Sequence, residues 1–261
     1  MGKETIIELS NITVKYGEKI ALSNIDLSIF KGEFVGIIGP NGSGKTTLLK
    51  LILGLLKPSS GKIKIWGKQG RLRGRIRNKI GYIPQNPEID RYFPIKVRDV
   101  VMMGRFARIG FFKNPAKEDK KIVLESLEKV GMKEYVNTPF GHLSSGQQQR
   151  VAVARVLAQQ PEMLLLDEPT ANIDIGTQNV IINLINEIHQ TQQITTFYVA
   201  HEINLLSKSL DRIICLNQSI YKIGTPKEIL NEQVLGDLYK VKVTIFSHNN
   251  HYFFLVDEGG E

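Results

Sequence analysis

Cysteine is nearly missing from this chain: Cys215 is the single thiol in 261 residues, which excludes an internal disulfide. Its neighbours, Ile213 to Leu216, are apolar, so it reads as a small buried hydrophobe in a protein of a reducing compartment. Long apolar runs are missing too. The most apolar region, Leu48 to Leu56, is short and interrupted by Lys50, whereas a membrane-spanning helix needs about 18 or more apolar residues. The opening residues, MGKETIIELS, carry no apolar stretch of the secretory kind, and Ile6 stands where N-myristoylation needs Ser or Thr. A cytosolic chain without a signal peptide is the expectation. Internal repeats, low-complexity tracts and long linkers are equally missing.

What is present is ordinary globular composition, 42% apolar and 23% charged, with a net charge of +8. That charge admits nucleic acid, an anionic membrane surface or anionic nucleotides, and does not choose among them. The local excess runs from Lys68 through Arg71, Arg73, Arg75 and Arg77 to Lys79. With glycines and almost no aromatics, it reads as a solvated loop rather than a base-stacking surface, and no nucleic acid is expected as partner.

Periodicity divides the chain into two strand-rich parts around a helical one. Ile6–Val14, Ile20–Ile29 and Phe34–Ile38 alternate or run apolar as strands do, and the last ends in a glycine-rich turn. A helix is expected to open within that turn and run through Leu55 to a stop at Lys57-Pro58. Lys62–Trp66 and Ile80–Ile83 are two more strands. Helical character follows from Pro84 to Leu143, including Pro115–Val130, with Val123, Leu127 and Val130 on one face. Then come a buried strand at Met163–Leu166, a helix striped by Val180, Ile181, Leu184, Ile185 and Ile188, and an inner strand at Thr195–Ala200. Thr225-Pro226-Lys227-Glu228 spells a capped helix start. Val241–Phe246 and Tyr252–Val256 form a terminal hairpin. The expected organisation is one domain over 1–261, with a helical subdomain at about 86–160 and a C-terminal hairpin at about 240–257.

Two motifs carry chemistry, the second through its co-occurrence with the first. Gly39-Pro40-Asn41-Gly42-Ser43-Gly44-Lys45-Thr46 follows an apolar strand and opens a helix, the context required for a phosphate-binding loop. Its backbone N–H groups and the helix N-terminus cradle an anion, Lys45 reaches the terminal phosphates, and Thr46, followed by Thr47, offers a hydroxyl to Mg²⁺. Met163–Leu166 then delivers Asp167 and Glu168 to a strand's C-terminal end, where open α/β sheets bind ligands. Asp167 is a hard-oxygen ligand for Mg²⁺, commonly through water, and Glu168 a general base for the water that attacks the γ-phosphate.

Leu143-Ser144-Ser145-Gly146-Gln147 stands just before that carboxylate strand, and here the chain resembles the ABC (ATP-binding cassette) ATPases with their LSGGQ signature. The rest of that family's set stands in order beside it: Tyr16, Gln85 in Tyr82-Ile83-Pro84-Gln85, Ala171-Asn172-Ile173-Asp174, and His201 after Phe197–Ala200. The resemblance implies an α/β fold: a P-loop ATPase core with an antiparallel β subdomain and an inserted helical subdomain. It also implies roles. Tyr16 stacks on adenine; Gln85 contacts Mg²⁺ or the attacking water; His201 meets the γ-phosphate and orients Glu168. Ser144 with the N–H groups of Ser145 and Gly146 forms a second anion site. Two departures stand out: Ser145 where glycine is usual, and Ala171-Asn172-Ile173 before the aspartate in place of Ser-Ala-Leu.

In the family that second anion site closes on the γ-phosphate held by a partner's phosphate loop. With one copy of each motif, this implies a homodimer with two ATP molecules in a two-fold interface. The glycine-lined turn and the carboxylate pair are expected to share one Mg²⁺–ATP. Asn86 to Phe112, with Phe93-Pro94, Val97-Arg98-Asp99-Val100-Val101 and Gly104-Arg105, is similar to the corresponding segment of zinc, manganese or iron importers, and more loosely of iron-chelate and vitamin B12 importers. It lies in the lobe that in the family receives a helix of the membrane permease. The implied protein is a motor subunit on the cytoplasmic face of the membrane, serving permease subunits and, indirectly, an external binding protein. A soluble ABC ATPase of DNA repair, chromosome maintenance or translation is the alternative, but neither a coiled-coil insertion nor a second cassette is present. A regulator that never hydrolyses ATP is opposed by Glu168 and His201. His248 and His251, in the terminal hairpin without Cys or carboxylate partners, read as solvated turn residues.

Overall fold

The structure is a computed structural model and describes residues 3–70, 74–85, 93–110, 113–171, 173–200, 206, 208–248 and 251–257. In chain order the elements are β1 (Thr5–Tyr16), β2 (Lys19–Phe30), β3 (Phe34–Ile38), α1 (Lys45–Ile52), β4 (Ser60–Ile65), β5 (Lys68–Gln69), β6 (Ile80–Ile83), α2 (Val97–Met102), α3 (Phe106–Ile109), α4 (Lys117–Lys129) and α5 (Ser145–Ala158). They continue with β7 (Met163–Asp167), α6 (Ile175–Gln192), β8 (Thr195–Val199), β9 (Arg212–Asn217), β10 (Ser219–Gly224), α7 (Pro226–Ile229), α8 (Glu232–Tyr239), β11 (Lys242–His248) and β12 (His251–Asp257). The chain forms two compact units, Met1–Arg73 with His189–Glu261, and Gly74–Ile188.

In the first unit β2, β1, β4 and β5 make an antiparallel sheet. Its inward positions, among them Ile7, Leu9, Ile12 and Val14 of β1 and Leu22, Ile25, Leu27 and Ile29 of β2, are buried, as the alternation of the sequence requires. β3 pairs in parallel with β8 on one side and β9 on the other. Such a strand is covered on both faces, and so Phe34, Val35, Ile37 and Ile38 can all be apolar and all buried. Arg212 at the start of β9 holds the buried Glu33, which precedes β3, by a charge-assisted pair. β10 folds back antiparallel on β9. Thr225 and Glu228 form the capping box expected from the sequence, with Thr225 N–H donating to Glu228 Oε2 at 2.7 Å. β11 and β12 are the expected terminal hairpin, in register from Lys242 opposite Asp257 to His248 opposite His251.

In the second unit β6 and β7 pair in parallel, and α5 packs against α2 and α4. Gly81 of β6 lies so close under α5 that a Cβ would sit 2.3 Å from Val156 Cγ1. The apolar face of α4 buries Val123 and Leu127, with Val130 just beyond it, as the spacing predicts.

Two expectations are corrected. α1 ends at Ile52, short of Leu55, because Gly54 adopts φ 72° and closes a Schellman motif: Gly54 N–H donates to Leu51 O at 3.0 Å and Leu55 N–H to Lys50 O at 2.9 Å. The stop is this glycine, ahead of Lys57-Pro58. On α6 the buried stripe is Ile181, Ile182, Leu184, Ile185 and Ile188, while Val180 is 51% exposed. Positions 180 and 182 lie on opposite flanks of one stripe, so helical period alone leaves them equivalent and packing decides. Among the described residues no helix is long and apolar enough to cross a membrane.

Candidate functional site

In the first unit the Gly39–Thr46 turn links the end of β3 to α1, and its glycines are forced by geometry. A Cβ on Gly39 would sit 2.0 Å from Leu216 O; Gly44 has φ 100°, and a Cβ there would meet Ala21 O at 2.6 Å. The turn between β9 and β10 pins the loop: Gln218 N–H donates to Ser43 O at 2.8 Å, and Gln218 O accepts from Ser23 N–H at 2.7 Å. Lys45 is 7% exposed, and its Nζ donates to Gly39 O at 2.8 Å and Pro40 O at 3.0 Å, which keeps the ammonium folded into the loop. The N-cap Gly44 supplies no side-chain cap, and the start of α1 opens on the loop as a helix N-terminus suited to an anion. Ser43 Oγ is buried with no hydrogen-bond partner among the described residues. Such an orphan costs about 1–3 kcal/mol, and a phosphate oxygen in the loop would relieve it. Thr46 is half-buried and Thr47 buried; Tyr16 closes β1 with half its surface exposed, so its ring is open to stacking.

In the second unit the all-buried strand β7 ends on Asp167, 2% exposed, followed by Glu168. Because Ile83 pairs with Leu166, the residues two positions further along the two chains arrive side by side: Gln85 Nε2 donates to Glu168 Oε2 at 2.6 Å. Tyr82 O–H donates to Asp167 Oδ2 at 3.3 Å. Glu168 holds φ 50°, a left-handed conformation that disfavours a side chain and costs on the order of 1–3 kcal/mol. Strain kept for a carboxylate at a strand end points to chemistry rather than to packing.

The Ser144–Gln147 segment is a capping box. Ser144 Oγ accepts from Gln147 N–H at 3.3 Å, and Gln147 Oε1 accepts from Ser144 N–H at 2.9 Å, so both side chains shape the start of α5. Ser144 and Ser145 are exposed, and Gly146 is buried where a Cβ would sit 2.3 Å from Thr177 Cγ2. Thr177 N–H in turn donates to Asp174 Oδ1 at 2.9 Å, which makes Asp174 the cap of α6. Backbone and side-chain hydrogen bonds from Thr177 hold the Asp174 carboxyl below its ordinary value of 3.8. The signature glycine and the aspartate after the carboxylates therefore share one neighbour.

His201 and Asn172 lie outside the described residues, as do Arg71 and Arg73 of the basic run and 86–92 of the helical segment. Cys215 is buried in β9 as expected, and burial pushes its thiol up to about 12. Sequence reasoning missed three supporting residues. Tyr82 was legible as the residue facing the strand that ends on Asp167; Thr177 and Gln218 act through contacts between distant segments and left no local signal.

Comparison with known proteins identifies the family. The family model described as ABC transporter matches residues 22–171. The chain is 40% identical over 242 residues to a manganese transport system ATP-binding protein of Halalkalibacterium halodurans, covering 93% of this chain and 95% of the relative. It is 38% identical to a zinc uptake system ATP-binding protein of Listeria innocua, covering 85% of this chain and 87% of that one. Among solved structures, a dimeric bacterial ABC transporter cassette superposes with a TM-score of 0.73 at 33% identity, covering 85% of this chain and 99% of that chain.

Proposed function

Because the chain belongs to the ABC transporter family, we propose that it is the ATP-hydrolysing motor subunit of an importer for a divalent metal ion, manganese, zinc or iron. The similarity to a manganese transport ATP-binding protein along nearly the whole length of both chains carries this reading. In it the protein sits on the cytoplasmic face of the membrane, bound to permease subunits that receive their cargo from an external binding protein.

The residues divide the work. Lys45 and the backbone N–H groups from Gly39 through Pro40, Asn41, Gly42, Ser43 and Gly44 to Thr47, proline excepted, grip the phosphates, and the Ser43 hydroxyl gains the partner it lacks. Tyr16 offers its exposed face to adenine. Mg²⁺ would be held by Thr46, Asp167 and the amide oxygen of Gln85, and when bound it neutralises charge on the phosphate oxygens. The buried Asp167 carboxylate suits a hard cation, and Gln85, donating through Nε2 to Glu168, keeps its oxygen for the ion. Glu168 takes the proton of the attacking water, held in aim by Gln85; His201 hydrogen-bonds the γ-phosphate.

Ser144, Ser145 and Gly146 of one copy present the tip of α5 to the nucleotide held by the other, with Gln147 and Asp174 beside them. ATP then joins two copies and its hydrolysis separates them, which supplies the work done on the permease. Ser145 is exposed at the first position of α5, so serine in place of glycine is compatible with this role. Glu168→Gln should retain ATP while steady-state hydrolysis falls by about 10²- to 10⁴-fold; turnover equal to the parent rejects Glu168 as the base. Metal uptake that does not depend on this chain, in cells carrying its co-purifying permease, rejects the cargo.

A further inference from the structure

Gly104-Arg105 stands out in the sequence, and the site described above does not use it. Arg105 is a buried arginine, 8% exposed in its side chain, facing Asp119, itself 13% exposed. Its Nε donates to Asp119 Oδ1 of α4 at 3.0 Å, and one Nη donates to Ala158 O, the last residue of α5, at 2.9 Å and to Gln160 Oε1 at 3.0 Å. Arg108, one turn on, donates to Gln159 O and Gln160 O, both at 2.9 Å. Gly104 allows this approach, since a Cβ there would sit 2.0 Å from Arg155 O. Two arginines thus cap the C-terminal carbonyls of α5, where the helix leaves its acceptors unsatisfied.

The same helix end is tied to the start of β6: Gln159 Nε2 donates to Asn78 O at 2.9 Å and to Ile80 O at 2.8 Å. β6 leads to Gln85, which holds Glu168. The other end of α5 is the Ser144–Gln147 tip. On either side of Arg105, Met103 and Phe106 are 40% and 53% exposed. One short segment therefore shows apolar side chains outward and fixes a helix end inward.

We propose that Arg105 is a positioning residue: it locks the C-terminus of α5 to the helical lobe and so sets the aim of the Ser144 tip at the partner's nucleotide. This rests on the dimer reading given above. Packing alone is a poor reason for a buried ion pair, because apolar residues of similar volume stabilise a core as well or better. Orientation is the better reason. α5 is about 21 Å long at 1.5 Å per residue, so a tilt of about 5° at its base moves its tip by about 2 Å, beyond the tolerance of a hydrogen bond to phosphate.

The test is Arg105→Lys, which keeps the charge but cannot span acceptors on α4 and α5 at once. A fluorescent ATP analogue should bind the isolated variant within about twofold of the parent, because the phosphate loop is untouched. In a Glu168→Gln background, the ATP concentration for half-maximal dimerisation should rise about tenfold or more, and in the hydrolysing form kcat/KM should fall by about ten- to a hundredfold. A purely structural role predicts a lowered melting temperature with dimerisation and kcat/KM unchanged, and that result overturns the proposal. Should Arg105→Lys fail to fold, the exposed Arg108→Gln, which removes two of the caps, must shift dimerisation in the same direction, and no shift overturns the proposal. If Glu168→Gln with Arg105 intact fails to dimerise on ATP, the dimer reading falls first and takes this one with it.

Discussion

Gly146→Ala is the sharpest test of the helix tip, because two effects oppose each other there. Replacing a helical glycine by alanine normally stabilises, here by at most about 1 kcal/mol. The new Cβ, however, would stand 2.3 Å from Thr177 Cγ2, deep inside van der Waals contact. Relief by rotating Thr177 sacrifices its side-chain hydrogen bond to the Asp174 cap, worth about 0.5–1.5 kcal/mol. Relief by moving α5 instead is overpacking, which costs about 1–3 kcal/mol. In the first turn that propensity gain is small, so the clash should win: by the cheaper relief the net loss is up to about 1.5 kcal/mol, or a melting temperature lowered by up to about 6 °C. Thermal unfolding followed by circular dichroism reads this directly. Thr177→Ser removes the offending methyl but keeps the hydroxyl that serves Asp174, so it should restore most of the loss in the double variant. A Gly146→Ala protein that melts at or above the parent's temperature, or a Thr177→Ser change that brings no rescue, refutes the contact.

Two further outcomes follow from charge and burial. The depressed Asp174 carboxyl contributes stability above its ordinary value of 3.8 and loses it as pH falls through the lowered folded value; the urea-midpoint deficit of Asp174→Ala should therefore be widest at neutral pH and shrink as pH approaches 3. Cys215, buried and pushed up to about 12, should resist a thiol reagent at pH 8 in the native protein and react on unfolding; rapid native labelling contradicts its place in β9.

Much of the fold was legible because local signals and tertiary packing agree. The strands at Phe34–Ile38 and Ile80–Ile83 match β3 and β6 at both ends. The Thr225 start was legible from its capping box, and Ser144-x-x-Gln147 spells the same device. What stayed hidden depends on distant segments. Nothing near Gly39 announces Leu216 O behind it, and nothing near Gly146 announces Thr177. The left-handed backbone of Glu168 is equally silent, since glutamate carries no preference for it. Gly54 was a missed local signal: a glycine after an apolar helical run marks the stop better than a proline four residues later. Arg105 shows the limit most plainly, because its neighbours are apolar and exposed while the arginine is buried.

In the proposed cycle ATP, gripped by the Lys45 loop of one copy and the Ser144 tip of another, joins two copies until Glu168 promotes hydrolysis. Sedimentation of Glu168→Gln with and without ATP in magnesium buffer tests it most directly. The expected result is a monomer without nucleotide and a dimer with it, abolished by adding Lys45→Ala. A protein that stays monomeric at saturating ATP contradicts it.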